Sequence, residues 1–133
     1  AMRALGERLR HESGLSTRAQ EALQVGVHWE TVVRPPNTHR VCQVYASAVP
    51  VSYASSTSQA DWEEFARLVL RAAYDATLLV GRVKAAQAGK RVTVFLTMLG
   101  GGAFGNRDAW VIDPNGRMMR AWDPVTMWAL RAR

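Results

Sequence analysis

A single cysteine, Cys42, stands among the 133 residues. No intrachain disulfide can form, so the stapled extracellular scaffolds are excluded. No apolar run approaches the ~18 residues that a membrane span requires. The first twenty residues, which include Glu7, Arg8, Arg10, His11 and Glu12, hold no apolar block of the secretory kind. The expectation is a soluble, cytoplasmic protein with no membrane partner. Three histidines and one cysteine are too few for a four-ligand structural zinc without carboxylates. His39 and Cys42, three apart, would point to opposite faces of a strand. No metal and no cofactor are expected. Lysine is scarce as well: Lys84 and Lys90 stand against 15 arginines.

The formal net charge of +6 raises the question of a nucleic-acid partner. Residues 1–60, 61–100 and 101–133 carry 6 basic against 4 acidic, 6 against 4 and 5 against 3 side chains. Each part therefore contributes +2 and no basic tail exists. Nucleic-acid binders cluster their charge, so a nucleic-acid or protein interaction module stands as an alternative that the pattern does not favour. Hydrophobic residues at 48% and charged residues at 21% are ordinary for a globular chain and exclude disorder as a description of the whole. The length suits one domain or a piece of one. Position 1 is Ala rather than Met, which leaves open whether the chain begins inside a longer protein.

Three stretches follow from the patterning. Residues 1–22 are rich in helix formers and form a helical lead-in, two short helices broken at Gly14. Residues 23–112 hold the core. Leu23, Val25, Val27, Trp29, Thr31 and Val33 alternate with Gln24, Gly26, His28 and Glu30, the pattern of a half-buried strand. Pro35 and Pro36 stop it. Residues 41–51 run almost continuously apolar or small, which predicts a strand buried on both faces and paired antiparallel with the first. Asp61, with Glu64 three residues on, predicts the start of a long helix. Its apolar stripe is Trp62, Phe65, Val69, Ala72, Ala76, Leu79 and Val83, with Gly89 as the left-handed stop and Gly81 as a weak point. Residues 91–99 predict a parallel strand that completes a right-handed βαβ unit. Residues 113–133 form a divergent tail, with a turn at Asp113-Pro114-Asn115-Gly116 that could join 111–113 and 117–121 in a hairpin. Trp110, Trp122 and Trp128 are candidates to meet a partner or a missing half.

The chemistry is concentrated after the third strand, in Gly100, Gly101, Gly102, Ala103, Phe104, Gly105 and Asn106. Four glycines in six positions are costly to order, a cost tolerated where main chain turns tightly or approaches a ligand. Freed N–H groups at the carboxyl end of a parallel strand, followed by a helix start, suit phosphate oxygens. Asn106 is expected to cap that helix. Phe104, flanked by small residues, is expected to stack on a sugar or base, or else to fold back as a core plug. The spacing matches neither the P-loop nor the dinucleotide fingerprint. Cys42, inside an apolar run, suits inert packing, and His28 suits a surface role.

The stretch from Val94 through Asn106 resembles the second phosphate loop of the macrodomain superfamily, close to its microbial-type poly(ADP-ribose) glycohydrolase branch. Residues 23–31, 43–53 and 65–70 also resemble a macrodomain-like group. The resemblance covers about 23–112. It implies an α/β chain: the C-terminal part of a three-layer α/β/α macrodomain-like fold with a mixed sheet. It also implies binding of ADP-ribose or a related nucleotide diphosphate, with backbone contacts from Gly101, Gly102, Ala103 and Gly105 and Phe104 beside the distal ribose. The family's first phosphate loop, adenine-reading acid and glycohydrolase Gln-Glu-Glu run have no counterpart here. The enzymatic alternative is thus part of an ADP-ribosyl or poly(ADP-ribose) glycohydrolase whose catalytic half is missing. No catalytic residue is assigned.

Overall fold

The structure, a computed structural model of the chain, describes residues 1–112. The turn at 113–116, the hairpin it would close, and Trp122 and Trp128 lie outside the described residues. The described part is mixed α/β: four α-helices and a two-stranded antiparallel sheet. Helices α1 (Met2–His11) and α2 (Leu15–Ala22) flank Gly14, whose φ of 74° turns the chain between them. Strands β1 (Gly26–Val32) and β2 (Arg40–Tyr45) pair antiparallel, Val27 opposite Val44 and His28 opposite Gln43.

The alternation expected for β1 breaks in the middle. Trp29 and Glu30 together stand opposite Cys42, a bulge that puts Glu30 at φ 56° and leaves Trp29 exposed. Two neighbours hold Glu30 there: Lys84 reaches its carboxylate and the Arg40 guanidinium donates to its carbonyl oxygen at 3.1 Å. The long strand expected at 41–51 is corrected to the six residues of β2. After Tyr45 the chain leaves the ladder and forms a 3-10 turn at Val51–Tyr53. Along β2, Cys42 and Val44 are half-buried while Val41 and Tyr45 are exposed, so one face of the sheet is open.

Helix α3 (Gln59–Ala88) is the organising element. It starts at Ser58 rather than Asp61. The Ser58 hydroxyl accepts the Asp61 N–H at 3.3 Å, while the Asp61 carboxylate pairs with Arg3 of α1 at 2.9 Å. It ends at Gly89, φ 61°, as the sequence predicts. The buried stripe differs in part from the expected one: Ala72 is buried and Trp62 packs against the core, as the spacing predicts. Ala66, Leu70, Tyr74 and Leu78 enter the core with Leu96, Trp110 and Val111, whereas Leu79 and Val83 are exposed. Spacing alone leaves the choice between adjacent stripes of an apolar helix open, and packing on more than one side resolves it. Helices α1 and α2 pack along a further side of α3. Arg10 meets Glu64 at 3.3 Å, and the Gln20 amide donates to Asp75.

After α3 the chain returns over Gly81, where a Cβ would lie 2.7 Å from Val94 Cγ2. The predicted helical weak point is a close crossing. Residues 91–99 keep a strand's alternation: Val92, Val94 and Leu96 turn inward, while Thr93 and Phe95 turn out, Phe95 to 73% exposure. Yet no ladder forms there among the described residues, so the third strand and the mixed sheet are corrected to an unpaired segment beside an antiparallel pair. An extended segment becomes a strand only where a neighbouring main chain faces it; β2 has left its ladder at Tyr45, and among the described residues no backbone hydrogen bond joins 91–96 to another segment. The continuations of β2 and of 91–99 converge at Ala48 and Gly100, side by side at the end where the glycine loop begins.

Candidate functional site

Tyr74 of α3 sets the start of the loop. Its hydroxyl donates to the Thr97 carbonyl at 2.7 Å and accepts the Leu99 N–H at 3.0 Å. Burial raises its pKa, so at neutral pH the donor proton is in place. Gly100 follows at φ 72°, where a Cβ would meet both Ala48 Cβ and Asn106 Nδ2 at 2.5 Å. The chain then circles back on itself, with the Asn106 N–H donating to the Gly100 carbonyl at 2.9 Å.

Asn106 is not a helix cap. Helix α4 (Asp108–Val111) begins after Arg107 and has no side-chain cap. Asn106 is instead 4% exposed and staples the loop from inside, its Nδ2 donating to the Val49 carbonyl at 2.8 Å and to the Gly100 carbonyl at 3.3 Å. An asparagine immediately before a short helix reads as a cap in sequence. In the fold the carbonyls of Val49 and Gly100 receive its Nδ2, while its buried Oδ1 has no partner among the described residues.

A second clamp comes from the 3-10 turn. The Ser52 N–H donates to the Phe104 carbonyl at 3.0 Å and the Ser52 hydroxyl donates to the Ala103 carbonyl. Gly105, φ 71°, lies so close that a Cβ would stand 2.9 Å from Ser52 Cβ. The Gly105 carbonyl accepts from Gln59 Nε2 at 2.8 Å, and the Gln59 oxygen accepts from Arg107 Nε at 2.8 Å. Phe104 is half-buried against the core and meets the Tyr53 ring edge-on, centroids 5.7 Å apart at 77°. The core-plug expectation for Phe104 therefore describes much of its ring.

The polarity of the loop follows from these bonds. The carbonyls of Gly100, Gly102, Ala103, Phe104 and Gly105 are all taken by the protein. The N–H groups of Gly101, Gly105 and Asn106 are taken as well. Those of Gly102, Ala103 and Phe104 have no acceptor among the described residues, and Gly102 and Ala103 are exposed. Three successive donors are thus left without an acceptor among the described residues, on a loop whose acceptors are tied down. Gly102 lacks positive φ, and a Cβ there would meet nothing within 4 Å among the described residues. Packing explains Gly100 and Gly105 and leaves Gly102 without a fold-based reason.

Sequence reasoning missed Ser52, Tyr53, Gln59 and Tyr74, which come from distant segments. It also passed over Arg107 and Asp108, adjacent in the chain. Asp108 Oδ1 stands 3.7 Å from where a Gly101 Cβ would lie, and the Arg107 guanidinium carbon lies 5.9 Å from the Trp110 ring. Trp110, a candidate partner contact, is 1% exposed and belongs to the core. Burial pushes the Cys42 thiol up, away from nucleophilic use. Among the described residues no three His, Cys, Asp or Glu side chains gather as a metal site, and no helix is long and apolar enough to cross a membrane. A cleft of ≈ 200 Å³ lies elsewhere, between α1 and the start of α3, lined by Arg3, Arg10, Asp61 and Glu64. Its charges of both signs pair with each other. Comparison with protein-family models yields no matching family, and comparison with curated proteins and with solved structures yields no significant match.

Proposed function

We propose that residues 100–106 bind the diphosphate of ADP-ribose or a related nucleotide, and that β2, α3 and 91–99 are the C-terminal part of a three-layer α/β/α macrodomain-like fold. The observation that carries the reading is the run of N–H groups at Gly102, Ala103 and Phe104 that have no acceptor among the described residues. Oriented main-chain donors attract anions without any lysine or arginine, because their partial positive charges add at one point. A glycine at 102 that packing does not require lets an oxygen approach those amides closely. Arg107, held by Gln59, puts a positive charge beside the loop.

Calorimetric titration with ADP-ribose tests this. Wild-type chain binds, and Gly102→Val weakens binding at least tenfold, about 1.4 kcal/mol, with an unchanged melting temperature because its side chain points into open space. A wild-type chain that gives no binding heat, or a folded Gly102→Val that binds as well as wild type, overturns the proposal. Binding to DNA that falls steeply with salt, with no response to ADP-ribose, would support the interaction-module alternative instead.

A further inference from the structure

We infer that Tyr53 determines what this site accepts: its ring is a stacking platform that makes the loop a nucleotide site rather than a site for bare diphosphate. The inference rests on the proposed diphosphate reading and adds the part of the ligand beyond the phosphates. Ser52 binds the carbonyls of Ala103 and Phe104, so the next residue, Tyr53, is carried beside the same stretch of loop whose N–H groups have no acceptor among the described residues. Its ring is 67% exposed, yet it is not free to wander. The Phe104 ring holds it edge-on at 5.7 Å, and Phe104 is itself packed against the core. The other two tyrosines use their hydroxyls inside the protein: Tyr45 donates to Gln43 at 2.9 Å and Tyr74 joins Thr97 to Leu99. Tyr53 has no such bond among the described residues. A large aromatic surface kept in water with one edge contact has less freedom to lose when a ligand arrives. A flat heterocycle tethered to the diphosphate therefore gains stacking at a reduced cost in ordering the ring.

The test compares two probes, ADP and inorganic pyrophosphate, on wild type, Tyr53→Leu and Tyr53→Phe, with thermal melts of all three. Tyr53→Leu keeps an apolar contact for Phe104 and removes the aromatic face. The expected result is a loss of about tenfold in ADP affinity for Tyr53→Leu, the scale of one base stacked on an aromatic ring. Pyrophosphate affinity stays unchanged, and Tyr53→Phe binds both probes as wild type does. Equal losses for both probes would mean that Tyr53 only supports the loop, and unchanged ADP binding would mean that it does not touch the nucleoside. Either result overturns this inference while leaving the diphosphate reading standing. A wild-type chain that binds neither probe removes both.

Discussion

The contrast between Gly100 and Gly102 gives the sharpest test of the loop's construction. Substituting Ala at 100 puts an L-residue at φ 72°, a left-handed conformation that costs about 1 kcal/mol. The added methyl would also stand 2.5 Å from Ala48 Cβ and from Asn106 Nδ2. Neither neighbour is the loose end of a long side chain. Ala48 is buried on a short rigid stem, and Asn106 is 4% exposed and fixed by Val49 and Gly100. Forcing an extra methyl into such packing costs roughly 1–3 kcal/mol. Displacing Asn106 from the Val49 carbonyl adds about 1 kcal/mol. Gly100→Ala should therefore lose about 3–5 kcal/mol in urea unfolding, a large part of the ~5–15 kcal/mol available to a domain. Gly102→Ala has neither a positive φ nor a neighbour within 4 Å, so it should change stability by less than about 0.5 kcal/mol. Equal effects at the two positions, or a loss below about 1 kcal/mol at Gly100, would refute the division between glycines that the fold requires and a glycine that it does not.

Tyr74→Phe deletes the hydroxyl that joins the Thr97 carbonyl to the Leu99 N–H, and should cost about 1–3 kcal/mol in urea unfolding, with faster amide exchange at Leu99. Glu30→Gly relieves a left-handed backbone at φ 56°. Its exposed ion pair with Lys84 contributes little, so the variant should gain up to about 1 kcal/mol while Glu30→Val loses stability, measured by thermal melts. Burial raises the Asp75 carboxyl, against the opposing pull of Arg71 and the Gln20 amide. A carboxyl raised by folding favours the native state while protonated, so this contribution is full below its unfolded pKa and is lost as pH rises through the higher folded value. Asp75→Asn removes that loss, and its urea midpoint should gain more than the wild type's between pH 3 and pH 7. Glu30, lowered by Lys84, and Asp61, lowered by Arg3 and Ser58, act in the opposite sense: their contributions are present above the unfolded pKa and fade as pH falls.

Local rules carried much of the element pattern. Gly14 and Gly89 end or separate helices because a left-handed turn favours glycine, and that preference is visible in the chain itself. The antiparallel pairing of β1 and β2 follows from a connection too short to cross over. The bulge at Trp29 and Glu30 carried no such mark: the residues that meet Glu30 there, Arg40 and Lys84, lie ten and fifty-four residues away in the chain. Likewise, the apolar run at 91–99 reads as a strand from composition, but a strand also needs a neighbour's acceptors.

The glycine loop was legible as a place, and its working parts were not. Composition marked residues 100–106 because four glycines are expensive to order without a purpose. Which glycines serve packing, which amides stay free, and that Asn106 turns inward were decided by Ala48, Val49 and Ser52, about fifty residues away in the chain. The amino-acid sequence by itself determined turns, helix ends and the position of the loop, because those depend on backbone preferences of single residues and near neighbours. Tertiary structure alone decided the direction in which each donor and carbonyl points, because a hydrogen bond is chosen by whichever partner the fold brings within 3 Å or so.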